Sequence, residues 1–174
     1  MFATQLCIAV GLTLGLTNSH KAFVCEVMPS VVKESEKRGI DPVVFSSLIF
    51  HESAFRPRVV SHAGACGLTQ VLPQYSDYTC EQLKRPKIAI KAGTIALKYW
   101  LTRAKGDLEK ALCGYNAGNI CINKPNSRTS RRVKRIYSRS IFKLATDFRI
   151  TAKDKFFEDH RFFNKVVDDD DIID

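Results

Sequence analysis

"DPVVFSSLIFHESAFRPRVVSHAGACGLTQVLP", residues 41–73, decides the fold. Asp41 is an N-cap and Pro42 occupies the first helical position, so the stretch opens a helix. Phe45, Leu48 and Glu52 follow at i, i+3 and i+7, which puts Glu52 on the apolar face near the helix end. Burial raises a carboxyl pKa, and the negative end of the helix dipole pushes the same way. A carboxyl held protonated near neutrality can serve as a general acid. The alternative is a glutamate that swings to solvent or pairs with Arg56 or Arg58. A loop of small residues comes next, with Gly64 and Gly67 bracketing "GACG". Such a loop lets backbone groups approach a ligand closely. Ser61 and Gln70 offer donors and acceptors beside it.

Working outward, the apolar spacing is helical in most other segments. "MPSVVKESEKRG" reads as a helix with Pro29 early and Gly39 just past its end. "PKIAIKAGTIALKYWLTRAKG" places Ile88, Ala92, Ile95, Ala96 and Tyr99 on one face, with Gly106 as the stop. Asp107 caps "LEKALCGYN". "SRRVKRIYSRSIFKLATDF" puts Val133, Ile136, Tyr137, Ile141, Leu144 and Phe148 on one stripe, with bases opposite. "GNICINKPNSRTS", residues 118–130, reads as a loop, and Gly118 as a helix stop. After about residue 150 the character changes. "FFEDHRFF" is expected to dock on the domain or a partner, and the acidic end to be disordered.

The chain has 174 residues, a net charge of +9 and 45% hydrophobic residues, as in ordinary globular domains. Residues 168–174 hold five of the 18 acids; without them 13 acids face 27 bases, or +14. That body suits an anionic partner: nucleic acid, anionic lipid or an acidic polymer. Leu6–Leu16 is an apolar run with the length of a signal-peptide core, too short to span a bilayer comfortably. No Lys or Arg precedes it. A cut after Ser19 or Ala22 is expected, the alternative being a first core helix. Removing Cys7 would leave Cys25, Cys66, Cys80, Cys113 and Cys121. An oxidising compartment then favours disulfides, with the odd thiol left free or paired between chains and the connectivity open.

"GYNAG", residues 114–118, adds an aromatic, an amide and a permissive turn; with the carboxyl and hydroxyls these suit a sugar cleft. Taken in order, Glu52-Ser53, "SHAGACGLTQVLP" and "GYNAG" resemble the soluble lytic transglycosylases, which share the goose-type lysozyme fold. The resemblance runs over about residues 27–148. It implies a mainly α, lysozyme-like (goose-type) single domain at 25–150. Before it lies a signal peptide or membrane-targeting segment at 1–22, and after it a C-terminal tail at 151–174. It implies cleavage of the β-1,4 bond from N-acetylmuramic acid to N-acetylglucosamine in peptidoglycan, with a 1,6-anhydro product. Glu52 would be the single acid and base. Ser61, Gly67, Gln70, Tyr115 and Asn116 would line the substrate site. Tyr137 falls where the family has a late tyrosine. No cofactor or metal is implied. Thr69 stands where the family usually has Met, and Gly114 where Ala is commoner.

A goose-type hydrolase would need a second carboxylate; Asp41 is taken as the helix cap, and Asp77 and Glu81 follow the loop, where they could approach the cleft. "HES" does not continue into H-E-x-x-H, because residue 55 is Phe55, so His51 and His62 read as surface or cleft polar groups. Cys66 with a histidine as a thiol nucleophile is weaker than a disulfide in the sugar loop. "RTSRRVKRIYSR" could bind nucleic acid or lipid, but its apolar stripe marks a core helix, and no nucleic acid partner is expected. A non-catalytic wall-binding subunit is the other alternative. An exported enzyme would work in the periplasm or cell envelope, serving a secretion or conjugation machine, or on a virion at entry.

Overall fold

The computed structural model describes residues 1–155. They form a helical assembly, with no named strand among the described residues and two isolated bridges, Val60 with Cys66 and Cys66 with Val71. The helices are α1 (Phe2–Thr13), α2 (Asn18–Glu36), α3 (Pro42–Ser53), α4 (Cys80–Leu83), α5 (Pro86–Arg103), α6 (Leu108–Ala117), α7 (Ile120–Asn123), α8 (Arg128–Val133) and α9 (Arg139–Lys155). A π-helical turn, Lys134–Ser138, joins α8 to α9. No described helix is long and apolar enough to cross a membrane. "FFEDHRFF" and the acidic end lie outside the described residues.

α3 is the central helix. Asp41 caps it by accepting from the Val43 and Val44 amides at 2.7 and 3.4 Å, and its other oxygen pairs with Arg149 of α9. Val43, Val44, Phe45, Leu48 and Ile49 are buried, and so are Ser46 and Ser47. Those two serines donate back to the carbonyls of Pro42 and Val43, at 2.8 and 2.9 Å, so burial leaves no orphan hydroxyl. α3 therefore lacks a polar face, and a glutamate in its last turn starts from an apolar setting. The main core joins Phe45, Leu48, Phe55, Ile90, Leu112, Ile141 and Phe148. A smaller cluster of Cys66, Val71, Leu83 and Ala92 sits under the loop after α3.

Several expectations are corrected. α2 begins at Asn18, eleven residues before Pro29, with Thr17 as its cap. Pro29 thus lies inside a helix that packing holds despite the missing amide. On α5 the buried residues are Ala89, Ile90, Ala92, Gly93, Thr94 and Leu97. Ile95 and Tyr99 are 46% and 51% exposed. Small Gly93 lets the helix approach Thr69, where a Cβ would meet the threonine Cβ at 2.5 Å, and this contact rather than the largest side chains sets the inward face. Ile136 is 52% exposed, because the π turn adds a residue and moves Tyr137, Ser138 and Ile141 inward. Residues 118–130 are not one loop. They contain α7 and the start of α8, held by Cys113–Cys121 and by Ser130 Oγ on the carbonyls of Ile120 and Lys124.

All six cysteines are paired: Cys7–Cys25, Cys66–Cys80 and Cys113–Cys121. The leftover thiol expected from a five-cysteine count has no counterpart here, since Cys7 takes Cys25. α1 packs on α2 and α9, burying Leu6, Ala9 and Val10.

Candidate active site

α3 ends on two consecutive left-handed residues, Ala54 (φ 51°) and Phe55 (φ 55°). This conformation is uncommon for residues with a Cβ and persists where packing over-determines it. Phe55, fully buried, supplies that packing. Ser53 makes the second tie, donating to the carbonyls of Leu68 at 2.8 Å and Ile49 at 3.2 Å. The end of α3 is thus fastened to the loop, and Glu52 stands at the junction of helix and loop.

Glu52 is half-buried, and Tyr137 Oη donates to its Oε1. Burial raises the Glu52 pKa to about 7, against the lowering effect of the Tyr137 hydrogen bond. Tyr137, only 4% exposed, is pushed well above its ordinary range by burial and by the Glu52 charge, so it stays a donor. His51 sets its ring edge against Tyr137, with centroids 4.7 Å apart and planes at 73°. Partial burial lowers the His51 pKa, so the imidazole stays neutral to a lower pH than an ordinary histidine.

Tyr115 links the two hydrophobic clusters. Its hydroxyl donates to the Thr69 carbonyl at 2.7 Å, and its pKa is raised by burial and by the Glu52 charge. Glu52, Tyr137 and Tyr115 therefore form one electrostatic group. Asn116 is exposed on the following position.

The remaining expected residues build the loop. Ser61 Oγ accepts from the Ala65 amide at 3.0 Å. Gln70, itself left-handed at φ 48°, spends both amide hydrogens on the carbonyls of Val59 (3.1 Å) and Gly67 (2.9 Å). Its Oε1 remains as an acceptor. Gly67 (φ 75°) is required by close approach to α4, because a Cβ would lie 1.9 Å from the Leu83 carbonyl oxygen. Cys66–Cys80 staples the same crossing.

Both departures from the motif have local causes. Thr69 donates to the Ala89 carbonyl at 2.8 Å and fills the space above Gly93. Gly114 leaves room for the Trp100 ring, whose nearest carbon would be 2.5 Å from an added Cβ. Of the possible second carboxylates, Asp77 is exposed and Glu81 is exposed and paired with Lys84 at 2.5 Å. Neither figures among the influences on Glu52. Sequence reasoning passed over His51 as a ring neighbour and Ser53 as a tether. Ser53 was discoverable from its place beside Glu52; His51 needed the contact with α9's side of the molecule.

The transglycosylase SLT domain model matches residues 29–138, and the chain belongs to that family. Among solved structures it is similar to an inactive mutant of the lytic transglycosylase Slt from Pseudomonas aeruginosa, at 20% identity and a TM-score of 0.55. That match covers 73% of this chain and 24% of the other, so the likeness is one of fold over about a quarter of the larger protein. The mainly α, lysozyme-like architecture expected for the domain is the one observed.

Proposed function

We propose that the chain is a peptidoglycan lytic transglycosylase in which Glu52 is the single acid and base. The observation that carries this reading is a carboxyl in the last turn of α3, gripped on one oxygen by Tyr137 and pushed by burial up to a pKa of about 7. With Oε1 accepting from Tyr137, Oε2 is the oxygen that gives and takes the proton. The protonated acid passes its hydrogen to the glycosidic oxygen as the bond to C1 of N-acetylmuramic acid breaks. The 2-acetamido group supports the oxocarbenium-like carbon. The Glu52 carboxylate then removes the proton from the C6 hydroxyl, whose oxygen bonds to C1 and closes the 1,6-anhydro ring. The proton lost in the first half returns in the second, and no water is consumed. The attacking hydroxyl belongs to the same sugar, which gives it high effective molarity. In this reading Tyr115 and Asn116 would form one wall of the substrate site, with Gln70 Oε1 and the Ser61 hydroxyl on the loop side.

Export to the periplasm or cell envelope is part of this proposal. Cys66–Cys80 and Cys113–Cys121, both beyond the first segment, fit an oxidising compartment, and the Leu6–Leu16 run fits an export signal. There the enzyme would open the wall locally for a secretion or conjugation machine; a virion is the alternative setting. Digestion of purified peptidoglycan followed by mass analysis tests the chemistry. Anhydro ends, one water lighter than reducing ends, are expected. Reducing ends would make the chain a goose-type hydrolase and turn attention to Asp77 and Glu81.

A further inference from the structure

From Gly118 to Thr146 the chain carries eight basic residues and no acid. Lys134 reaches Glu109 at 3.9 Å. Arg128, Arg132, Arg135, Arg139 and Lys143 are all exposed, and none forms an ion pair among the described residues. Their spacing of 4, 3, 4 and 4 residues runs down one side of the continuous helical stretch from α8 through the π turn into α9. At about 1.5 Å per residue the row is about 22 Å long. Tyr137, Ile141 and Ala145 of the same stretch are buried, so the row lies on the side of the helix away from Glu52.

This row works against the helix that bears it. Like charges four residues apart, as at Arg128/Arg132, Arg135/Arg139 and Arg139/Lys143, repel each other. Arg128, Arg131 and Arg132 also crowd the first turns, where the helix dipole disfavours cations. An anionic partner would relieve both effects.

We infer that this basic row is a second glycan-strand contact, holding the wall through the carboxylates of its peptide stems while Glu52 works on the opposite side of the helix. The identity of the polymer rests on the peptidoglycan reading above; the surface itself rests on charge and exposure. Chemistry at Glu52 needs only the sugar backbone, whereas this row recognises the acidic side groups. Carboxylates spaced along a polymer match a linear row of point charges, and their attraction is weakened by salt.

The test uses the full chain carrying Glu52→Gln, so that binding is read without cleavage. It is pelleted with purified sacculi at 0.05 M and 0.5 M NaCl, concentrations chosen to move the screening length through about 10 Å. Half-saturation is expected to weaken about tenfold across that range, and by a similar factor when Arg132→Glu, Arg135→Glu and Arg139→Glu are added at low salt. Sacculi whose carboxyls have been converted to neutral amides should show the same loss with the basic row intact. The milder set Arg132→Gln, Arg135→Gln and Arg139→Gln covers the case in which the reversals do not fold, and should fall between. Unchanged binding by either folded set, or unchanged binding to amidated sacculi, overturns the inference. So does tighter retention by duplex DNA or by phosphatidylglycerol vesicles than by sacculi at equal salt. Absence of anhydro ends from the unsubstituted chain would count against the enzyme reading and leave the binding result standing.

Discussion

Replacing Tyr137 by phenylalanine separates the two forces on Glu52. Burial pushes its pKa up, the Tyr137 hydrogen bond pulls it down, and the balance lies at about 7. With that value, the protonated fraction falls from about nine-tenths at pH 6 to about one-tenth at pH 8, and kcat/KM should drop about tenfold per pH unit beyond that. Tyr137→Phe keeps the ring against His51 and the buried volume, and removes only the donor. A hydrogen bond to a charged group is worth about 1.5–3 kcal/mol, and one pKa unit is about 1.4 kcal/mol, so the shift is about 1–2 units upward. The alkaline limb of kcat/KM should therefore move to about pH 8 or above. The maximal rate should fall as well, because the carboxyl loses its anchor. The assay is release of soluble muropeptides from labelled peptidoglycan between pH 4 and pH 10. A limb that stays in place, or moves to lower pH, would refute the account of Glu52.

Glu52→Gln should lose on the order of 10²–10⁴ in rate, since one group serves both proton transfers. The same substitution should stabilise the fold at alkaline pH. A folded pKa of about 7 against 4.5 unfolded means the folded state binds more protons between those values. Stability therefore falls as pH rises through that window, by up to about 3 kcal/mol. Urea unfolding at pH 8 should favour Glu52→Gln, with the gap closing by pH 4.5; a gap that grows on acidification would contradict the burial argument. Gly67→Ala should cost on the order of 3–5 kcal/mol or prevent folding, because a left-handed φ and a clash with the backbone of Leu83 coincide; thermal melting within 2 °C of the parent would be the wrong answer. Export with removal of the first segment leaves Cys25 without Cys7, so chain recovered from the envelope should show one thiol under denaturing, non-reducing conditions. No thiol together with an intact Met1 would show instead that α1 stays as a built part of the fold.

The sequence alone determined the elements whose signals are local. Asp41 and Pro42 start α3, Asp107 starts α6 and Gly118 ends it, because caps and turn residues act within a few positions. It also put Glu52 on an apolar helix near its end, and its ordered motifs carried the family. Tyr137, Ile141 and Phe148 are buried as their stripe predicts, but only the tertiary structure decided the inward face of α5 and the phase before α9. Ile95 and Ile136 point outward although their spacing is apolar, since a glycine contact on α5 and a one-residue π insertion before α9 reset the phase. It also divided the expected site residues between two tasks. Glu52 and Tyr137 meet across 85 residues, while Ser61, Gly67 and Gln70 are mostly occupied in holding the loop. Tyr115 does both, bonding to the loop within reach of the Glu52 charge. Hydrogen bonds between distant segments depend on how helices cross, and no periodicity within one segment encodes a crossing.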